Sequence, residues 1–537
     1  MLLTHQQERA TLISFRKNSP TGGRFHLLCC YGLIAISTSL AKAESPNIVL
    51  IVADDLGYGD VGCFNPESKI ATPHLDRLAE AGVRFTDAHS PGSTGIPSRY
   101  GILTGRYPFR MWTSRLERTR MGSNGKPRHH FEPEMLINEP RERLNLATFL
   151  KSKGFSTACF GVWHQGMELR FIDDATGDFH TTPVSFGFDY FFGIGAAGRG
   201  PYAFMENKQY VSPLTYKIPE KLGGDVTNAK TQGDYRKEGE ASADWKFETC
   251  LPRILAKSTE WLGKHAAEHK DKPFFLYHAL PAPHVPWTPV PEFKGKSGAG
   301  PYGDYVMTVD AMVGKILASL SKHGFDKNTL VVFTSDSGPA WYAADIKRYG
   351  HRAAGPFRGA IGSLYEGGHR VPLIMARLHP YEGADSWLEP LRGSTCDDLV
   401  CTTDLIRTFA AAVGTEFELP IDTGVDSFNL LSNLSGKAAP TPKRKRIVHT
   451  HRSTFSLAIR EGSWKLILPS WVYTTRDKSM VPDKIVDWKG EQPIPEFQLF
   501  NLKTDPGEKK NVAKENSDKV KTLFAALKQN IERGQSQ

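Results

Sequence analysis

Pro46-Asn47-Ile48-Val49-Leu50-Ile51-Val52-Ala53-Asp54-Asp55-Leu56-Gly57-Tyr58-Gly59-Asp60 is the stretch that decides the fold. Ile48 to Ala53 are all apolar, without the alternation of a strand that has one wet face. Such a run suits a strand covered on both sides, as in a parallel sheet flanked by helices. Two carboxylates and a glycine-rich turn follow at its carboxyl end, where open α/β sheets place their sites. Paired carboxylates there are hard oxygen ligands suited to Ca²⁺ or Mg²⁺. Taken alone, the pair also fits a polar strand end running into a turn.

Outward from this run, helix and strand alternate. Thr72 to Gly82 has an N-cap residue, Pro at the first helical position, apolar spacing of three and four, and a glycine stop. Val83 to Ala88 reads as a short strand, Arg143 to Gly154 as a helix and Phe155 to Phe160 as a strand. Residues 245–268 form a predicted helix, Pro273 to Leu280 a strand, and Asp304 to His323 a helix. Thr329 to Thr334 is a second buried strand, and it ends in Asp336, a third carboxylate at a strand terminus. Asp404 to Val413 closes the series as an apolar helix. The alternation predicts an α/β fold with a large, mostly parallel sheet flanked by helices. Residues 436–446 read as a basic, solvated linker. Residues 447–537, with short strands at Phe455–Arg460 and Trp464–Leu468 and a helix over 515–533, read as a small α+β C-terminal domain. The body of the large domain spans 44–435.

A second stretch carries chemical interest: Ser90-Pro91-Gly92-Ser93-Thr94-Gly95-Ile96-Pro97-Ser98-Arg99. It reads as a tight turn into a helix beginning near Pro97. Unpaired N–H groups and the helix dipole favour an anion in front of such a start. The position just before the helix, Gly95, has no side chain to react.

Length and charge set the frame. A chain of 537 residues exceeds one compact core and suggests two domains, and 40% hydrophobic with 23% charged residues is ordinary globular composition. Of the net charge of +9, +4 comes from the first 43 residues, where five Lys/Arg face one Glu. The rest is mildly basic, which suits anionic ligands and is no nucleic-acid footprint. Arg9, Arg16, Lys17 and Arg24 precede an apolar run from Phe25 to Ile36, then Ala41-Lys42-Ala43 before Glu44. This predicts a signal peptide over residues 1–43 and a mature chain exported to the periplasm or outside, free of the membrane. The seven cysteines form no framework; Cys396 and Cys401 are near enough in sequence to bridge, and spacing leaves that open.

Six motifs now stand in order: Val52-Ala53-Asp54-Asp55-Leu56-Gly57; Pro97-Ser98-Arg99 with Leu103-Thr104-Gly105-Arg106; Gly161-Val162-Trp163-His164-Gln165-Gly166; Ala282-Pro283-His284-Val285-Pro286; Thr334-Ser335-Asp336-Ser337-Gly338; and Tyr365-Glu366-Gly367-Gly368-His369-Arg370-Val371-Pro372. With Arg460 to Ile467 and Leu499 to Glu508, they resemble the type I, arylsulfatase-like sulfatases of the alkaline phosphatase superfamily. In that family a Cys or Ser two residues before the proline is oxidised to formylglycine, whose hydrate attacks sulfur. The resemblance implies Asp54, Asp55, Asp336 and Ser337 as Ca²⁺ ligands and Arg99 as the holder of the hydrated aldehyde. It also implies His164 as an aid to its deprotonation and His284 as the proton donor to the leaving oxygen. The implied partner is a small-molecule or carbohydrate sulfate ester.

The departures from the family pattern fall together. Gly95 stands at the nucleophile position, where formylglycine cannot form. Val162 and Ile361 replace two lysines, and Ser337 replaces the usual Asn with a shorter, poorer Ca²⁺ ligand. Loss of a nucleophile costs on the order of 10⁶ in turnover, and each lost electrostatic donor about 10²–10³. The expectation is therefore an inactive or severely impaired sulfatase that at most binds sulfated or other anionic ligands, with weakened calcium. An active aryl or carbohydrate sulfate hydrolase using Thr94 or Ser93 is the alternative. A phosphoesterase built on Thr94 and two transition metals is a third reading.

Overall fold

The computed structural model describes residues 45–110, 144–165, 178–179, 181–221, 233–379, 391–415, 418–434, 443–451, 456–469, 471–474, 479–482 and 496–532. The predicted leader, Gly166 and residues 436–442 of the expected linker lie outside these.

The apolar run becomes β1 (Asn47–Asp54), buried at every position. It sits among ten strands: β2 (Gly82–Phe85), β3 (Ser156–Val162), β4 (Tyr190–Ile194), β5 (Met205–Glu206), β6 (Gln209–Tyr210), β7 (Phe274–Pro283), β8 (Thr329–Ser335), β9 (Leu373–Arg377) and β10 (Ser394–Cys396) complete the sheet. Their spatial order is β10-β2-β9-β8-β1-β7-β3-β4-β5-β6. The five central strands, β8, β1, β7, β3 and β4, run parallel, with Ile48 opposite both Phe275 and Leu330. β9 joins antiparallel to β8, and β5 and β6 fold back at the far edge. Helices α1 (Pro73–Glu80), α2 (Gly95–Thr104), α3 (Leu146–Ser152), α4 (Cys250–Glu268), α5 (Gly300–Lys322) and α6 (Leu405–Ala412) account for the predicted alternation. Burial on both faces explains why β1 and β8 carry no alternating polar residues.

His278, in the middle of β7, is an unusual core residue. It is fully buried, with Nε2 3.2 Å from Ser258 Oγ and its ring stacked on Phe160. Burial lowers its pKa to about 3. The native state keeps the ring neutral while the unfolded chain protonates it below about pH 6.5, so its contribution is complete above pH 6.5 and is lost as pH falls toward 3. Relative to His278→Leu, wild type should lose about 2–3 kcal/mol between pH 6.5 and pH 4.5. Paired urea unfolding curves at the two pH values measure this, and a constant gap would contradict it.

The C-terminal strands β11 (Arg446–Thr450), β12 (Leu457–Glu461), β13 (Trp464–Ile467) and β14 (Gln498–Asn501) form an antiparallel sheet. Helix α7 (Ser517–Glu532) buries Leu523, Ala526 and Leu527 in a core shared with Ile447, Ile459 and Leu499. Tyr107 and Phe109 enter the same core. Tyr202 and Phe204 are likewise buried. Arg444, expected in a solvated basic run, is also buried, paired with Asp404 and donating to the Tyr107 hydroxyl. Cys396 and Cys401 are free thiols.

A buried ionic cluster joins this sheet to the large one. Arg460 grips Asp87 with two hydrogen bonds of 2.8 and 2.6 Å. Lys465 Nζ, fully buried, lies 3.1 Å from Glu366 Oε1, 2.9 Å from Glu508 Oε1 and 3.0 Å from His369 Nε2. His369 also stacks on His449 and contacts His89 Nδ1 at 3.1 Å. Burial lowers the pKa of all three imidazoles.

Candidate functional site

The carboxyl ends of β1 and β8 lie side by side, which brings Asp54, Asp55 and Asp336 together from positions some 280 residues apart. Asp336 Oδ1 accepts the Asp55 N–H at 3.1 Å, and all three carboxylates are buried. Burial, and then the neighbouring Asp54 charge, push Asp336 up to about 7 against the pull of Arg99. Burial raises Asp54 as well. Ser337 turns its hydroxyl onto Asp55 Oδ1 at 2.9 Å.

Helix α2 starts at Gly95, two residues earlier than expected. Pro97 still lies in the first turn, where no intrahelical N–H is needed. Thr94 is the extended N-cap residue, and its side chain makes no capping bond. The first turn throws Arg99 inward: fully buried, it places Nε and Nη2 each 2.8 Å from Asp336 Oδ2, and Nη2 3.5 Å from Asp54 Oδ2. Nη1 is 3.3 Å from the Tyr277 hydroxyl. Burial works against the guanidinium charge, but Asp336, Tyr277 and Asp54 outweigh it and raise its pKa.

The geometry of Gly95 is informative. A Cβ built there would lie 2.8 Å from Asp336 Oδ2, 3.6 Å from His164 Nδ1 and 3.7 Å from Arg99 Nε. Any side chain at position 95 would therefore point into the carboxylate cluster. His164 follows β3, with Nδ1 3.8 Å from Asp54 Oδ2, and His284 follows β7, with Nε2 3.9 Å from Asp55 Oδ2. Their rings stand edge to face, centroids 6.3 Å apart. Asp55 and His164 are both non-glycine residues in the left-handed region, at φ 66° and 51°. Such conformations cost of order 1–3 kcal/mol and cluster where a side chain must be aimed.

The structure thus gathers Asp54, Asp55, Gly95, Arg99, His164, His284, Asp336 and Ser337 at one end of the sheet. Val162 is the last residue of β3 and fully buried. Ile361 lies in a loop pinned beside the start of α2, through Ile361 N–H to Pro339 O at 3.0 Å and Gly362 N–H to Ser93 O at 2.7 Å. The neighbouring Arg358 faces elsewhere: it donates to Glu508 O and lies over the Tyr365 ring. Two supporting residues went unnoticed in the sequence. Tyr277 contacts Arg99, and Gln165 donates to Ile96 O at 2.7 Å, tying the end of β3 to the helix start. Gln165 sits inside the quoted Trp163-His164 motif; Tyr277 carried no signal in an apolar strand.

Acidic residues delivered by parallel strands beside a helix start fall where open α/β sheets place their sites. A family model for sulfatases matches residues 46–414. An N-acetylgalactosamine-6-O-sulfatase of Bacteroides thetaiotaomicron is 32% identical over 517 residues, covering 90% of this chain and 93% of the relative. Human arylsulfatase A is 31% identical, covering 93% and 89%. A solved Bacteroides thetaiotaomicron structure from work on glycosaminoglycan metabolism matches with a TM-score of 0.73 at 31% identity, over 90% of this chain and 99% of that one. The chain belongs to the sulfatase family. Among the described residues no helix is long and apolar enough to cross a membrane.

Proposed function

We propose that this protein is an exported member of the sulfatase family that binds sulfated or related anionic ligands without hydrolysing them. The observation that carries this reading is Gly95. Its missing side chain would project between Asp336, His164 and Arg99, where the reaction needs an oxygen nucleophile, and glycine offers only hydrogen. Formylglycine therefore does not fit this chain. Val162 and Ile361 remove two further positive charges from the same end of the sheet. Arg99 remains, committed to Asp336 and Asp54.

A divalent cation does fit. Asp54 Oδ2 is buried without a hydrogen-bond partner, and three clustered carboxylates at strand ends are an oxygen donor set. Asp54, Asp55 and Asp336 would hold the ion, with Ser337 the weaker ligand: its hydroxyl proton goes to Asp55 Oδ1, and only its short hydroxyl oxygen is left to face the ion. A bound Ca²⁺ would supply positive charge for an anionic ligand. Around it, Arg99 braces the carboxylates, while His164 and His284, each partly exposed, face the ligand position; His284 gives its Nδ1–H to the Val285 carbonyl, so it donates to a ligand oxygen only when Nε2 also carries a proton.

A carbohydrate sulfate is the ligand class, supported by the galactosamine sulfatase relative. N-acetylgalactosamine 6-sulfate should bind to purified protein in calorimetry and be recovered intact. His164→Ala with His284→Ala should weaken that binding at least about tenfold, since each lost charge-assisted hydrogen bond costs about 1.5–3 kcal/mol. Equal affinity of the double variant, or free sulfate in the recovered sample, would contradict the reading.

A further inference from the structure

The loop 90–94, which leads into α2, is held from two sides. Thr450, at the end of β11, takes the Ser93 N–H at 3.2 Å and gives its own N–H to Pro91 O at 3.0 Å. The segment 362–369 takes the Ser90 N–H on His369 O at 2.8 Å and gives the Gly362 N–H to Ser93 O at 2.7 Å. Where these segments meet, each contributes one fully buried imidazole: His89 just before the loop, His369 and His449. The His369 and His449 ring centroids are 3.5 Å apart, and that of His89 lies 5.2 and 5.3 Å from them.

The hydrogen-bond directions suit neutral rings. Lys465 Nζ can only donate, so His369 Nε2, 3.0 Å away and nearer to it than to Leu364 O at 3.2 Å, accepts. The His369 proton is then on Nδ1 and goes to His89 Nδ1 at 3.1 Å, while His89 Nε2–H goes to Asp87 Oδ1 at 2.8 Å. His449 donates Nδ1–H to Ser90 O at 3.1 Å, and its Nε2 is buried with no partner. An added proton on His89 would set two N–H groups face to face. On His369 it would meet the Lys465 ammonium, and on His449 Nε2 it would find no acceptor.

The surrounding charges leave no reserve for an imidazolium. Asp87, Glu366 and Glu508 are matched by Arg370, Arg460 and Lys465. Glu366 stands 3.9 Å from both His89 Nε2 and His369 Nε2, but those three cations already share it. Burial is the main force that keeps the three rings neutral.

We propose that this three-histidine junction is an acid-sensitive latch: protonation of the imidazoles parts the C-terminal sheet from the loop 90–94 and frees the start of α2. Above about pH 6.5 exposed imidazoles are neutral as well, and the latch holds. As pH falls, the open form binds protons that the closed form refuses, so opening is favoured. Each such imidazole multiplies the opening constant by about a hundredfold between pH 7.5 and pH 4.5. Glu508, whose carboxyl burial pushes up to about 7, titrates in the opposite sense and offsets about one imidazole of the three. The latch is independent of which ligand, if any, binds at α2.

Hydrogen–deuterium exchange of the full-length protein at pH 7.5 and pH 4.5, corrected for the pH dependence of free-amide exchange, tests this. Amides of residues 90–94 and 446–450 should open at least about a hundredfold more at pH 4.5, while β7 stays protected. His89→Gln with His449→Asn places amide donors near the former ring N–H groups and removes two titrating rings. Its opening should stay within about tenfold across the same range. Circular dichroism at pH 7.5 verifies that the variant folds, and the wild-type comparison decides alone if it does not. Equal opening of wild type at the two pH values, loss of β7 protection together with the loop, or a folded double variant that opens as wild type does would overturn the proposal.

Discussion

Gly95→Cys, Val162→Lys and Ile361→Lys together, co-expressed with a formylglycine-generating enzyme, are expected to raise aryl sulfate turnover at least about 10³-fold above wild type. The neighbourhood of position 95 makes this physical. A new Cβ would face His164 Nδ1 and Arg99 Nε at ordinary contact distances, in the place where a nucleophile could be held and deprotonated. Its one close approach, 2.8 Å, is to a carboxylate oxygen of Asp336. That oxygen ends a side chain, but Arg99 clamps it, so the pair must turn together by a few tenths of an ångström. Gly95→Cys alone should recover much less, because two anion-holding charges would still be absent. A fully modified triple variant that stayed silent would mean that the site has changed beyond its side chains.

Lys465→Met should destabilise the fold by about 3–5 kcal/mol, the usual cost of breaking a buried ion pair by removing one partner. The ammonium is fully buried and sits between Glu366 and Glu508. Glu366 keeps Arg460 and Arg370 at 3.3 and 3.1 Å when the lysine goes. Glu508 has no such reserve among its described ion pairs: burial, opposed by Lys465 and aided by Glu366, already pushes it up to about 7. Lys465→Met with Glu508→Gln should therefore regain roughly half the loss, since the stranded charge is gone. Urea unfolding of the two single variants and the double variant closes the cycle. A Lys465→Met cost below about 1 kcal/mol would show that the cluster contributes as a surface pair does.

The parallel sheet was legible because β1 and β8 are buried on both faces and so carry near-continuous apolar runs that end in aspartates. The site was legible for a related reason: each of its residues ends a strand or starts a helix, and parallel strands share one carboxyl end. Periodicity in one chain says nothing about which distant strand ends meet, so Tyr277 under Arg99 and the Lys465 cluster, whose partners lie 43 to 99 residues away, were not readable. Arg444 misled for a different reason. A basic run reads as solvated, yet one arginine of it finds Asp404 in the interior. The helix start near Pro97 was off by two residues because proline is tolerated throughout the first turn.

Sulfate release from an aryl sulfate by the purified wild-type protein, over many enzyme equivalents and with added Ca²⁺ or Zn²⁺, tests the central claim most directly. The account predicts no release above the uncatalysed rate, with the peptide Phe85–Arg99 carrying the mass of the coded glycine. Sustained multiple turnover would contradict it.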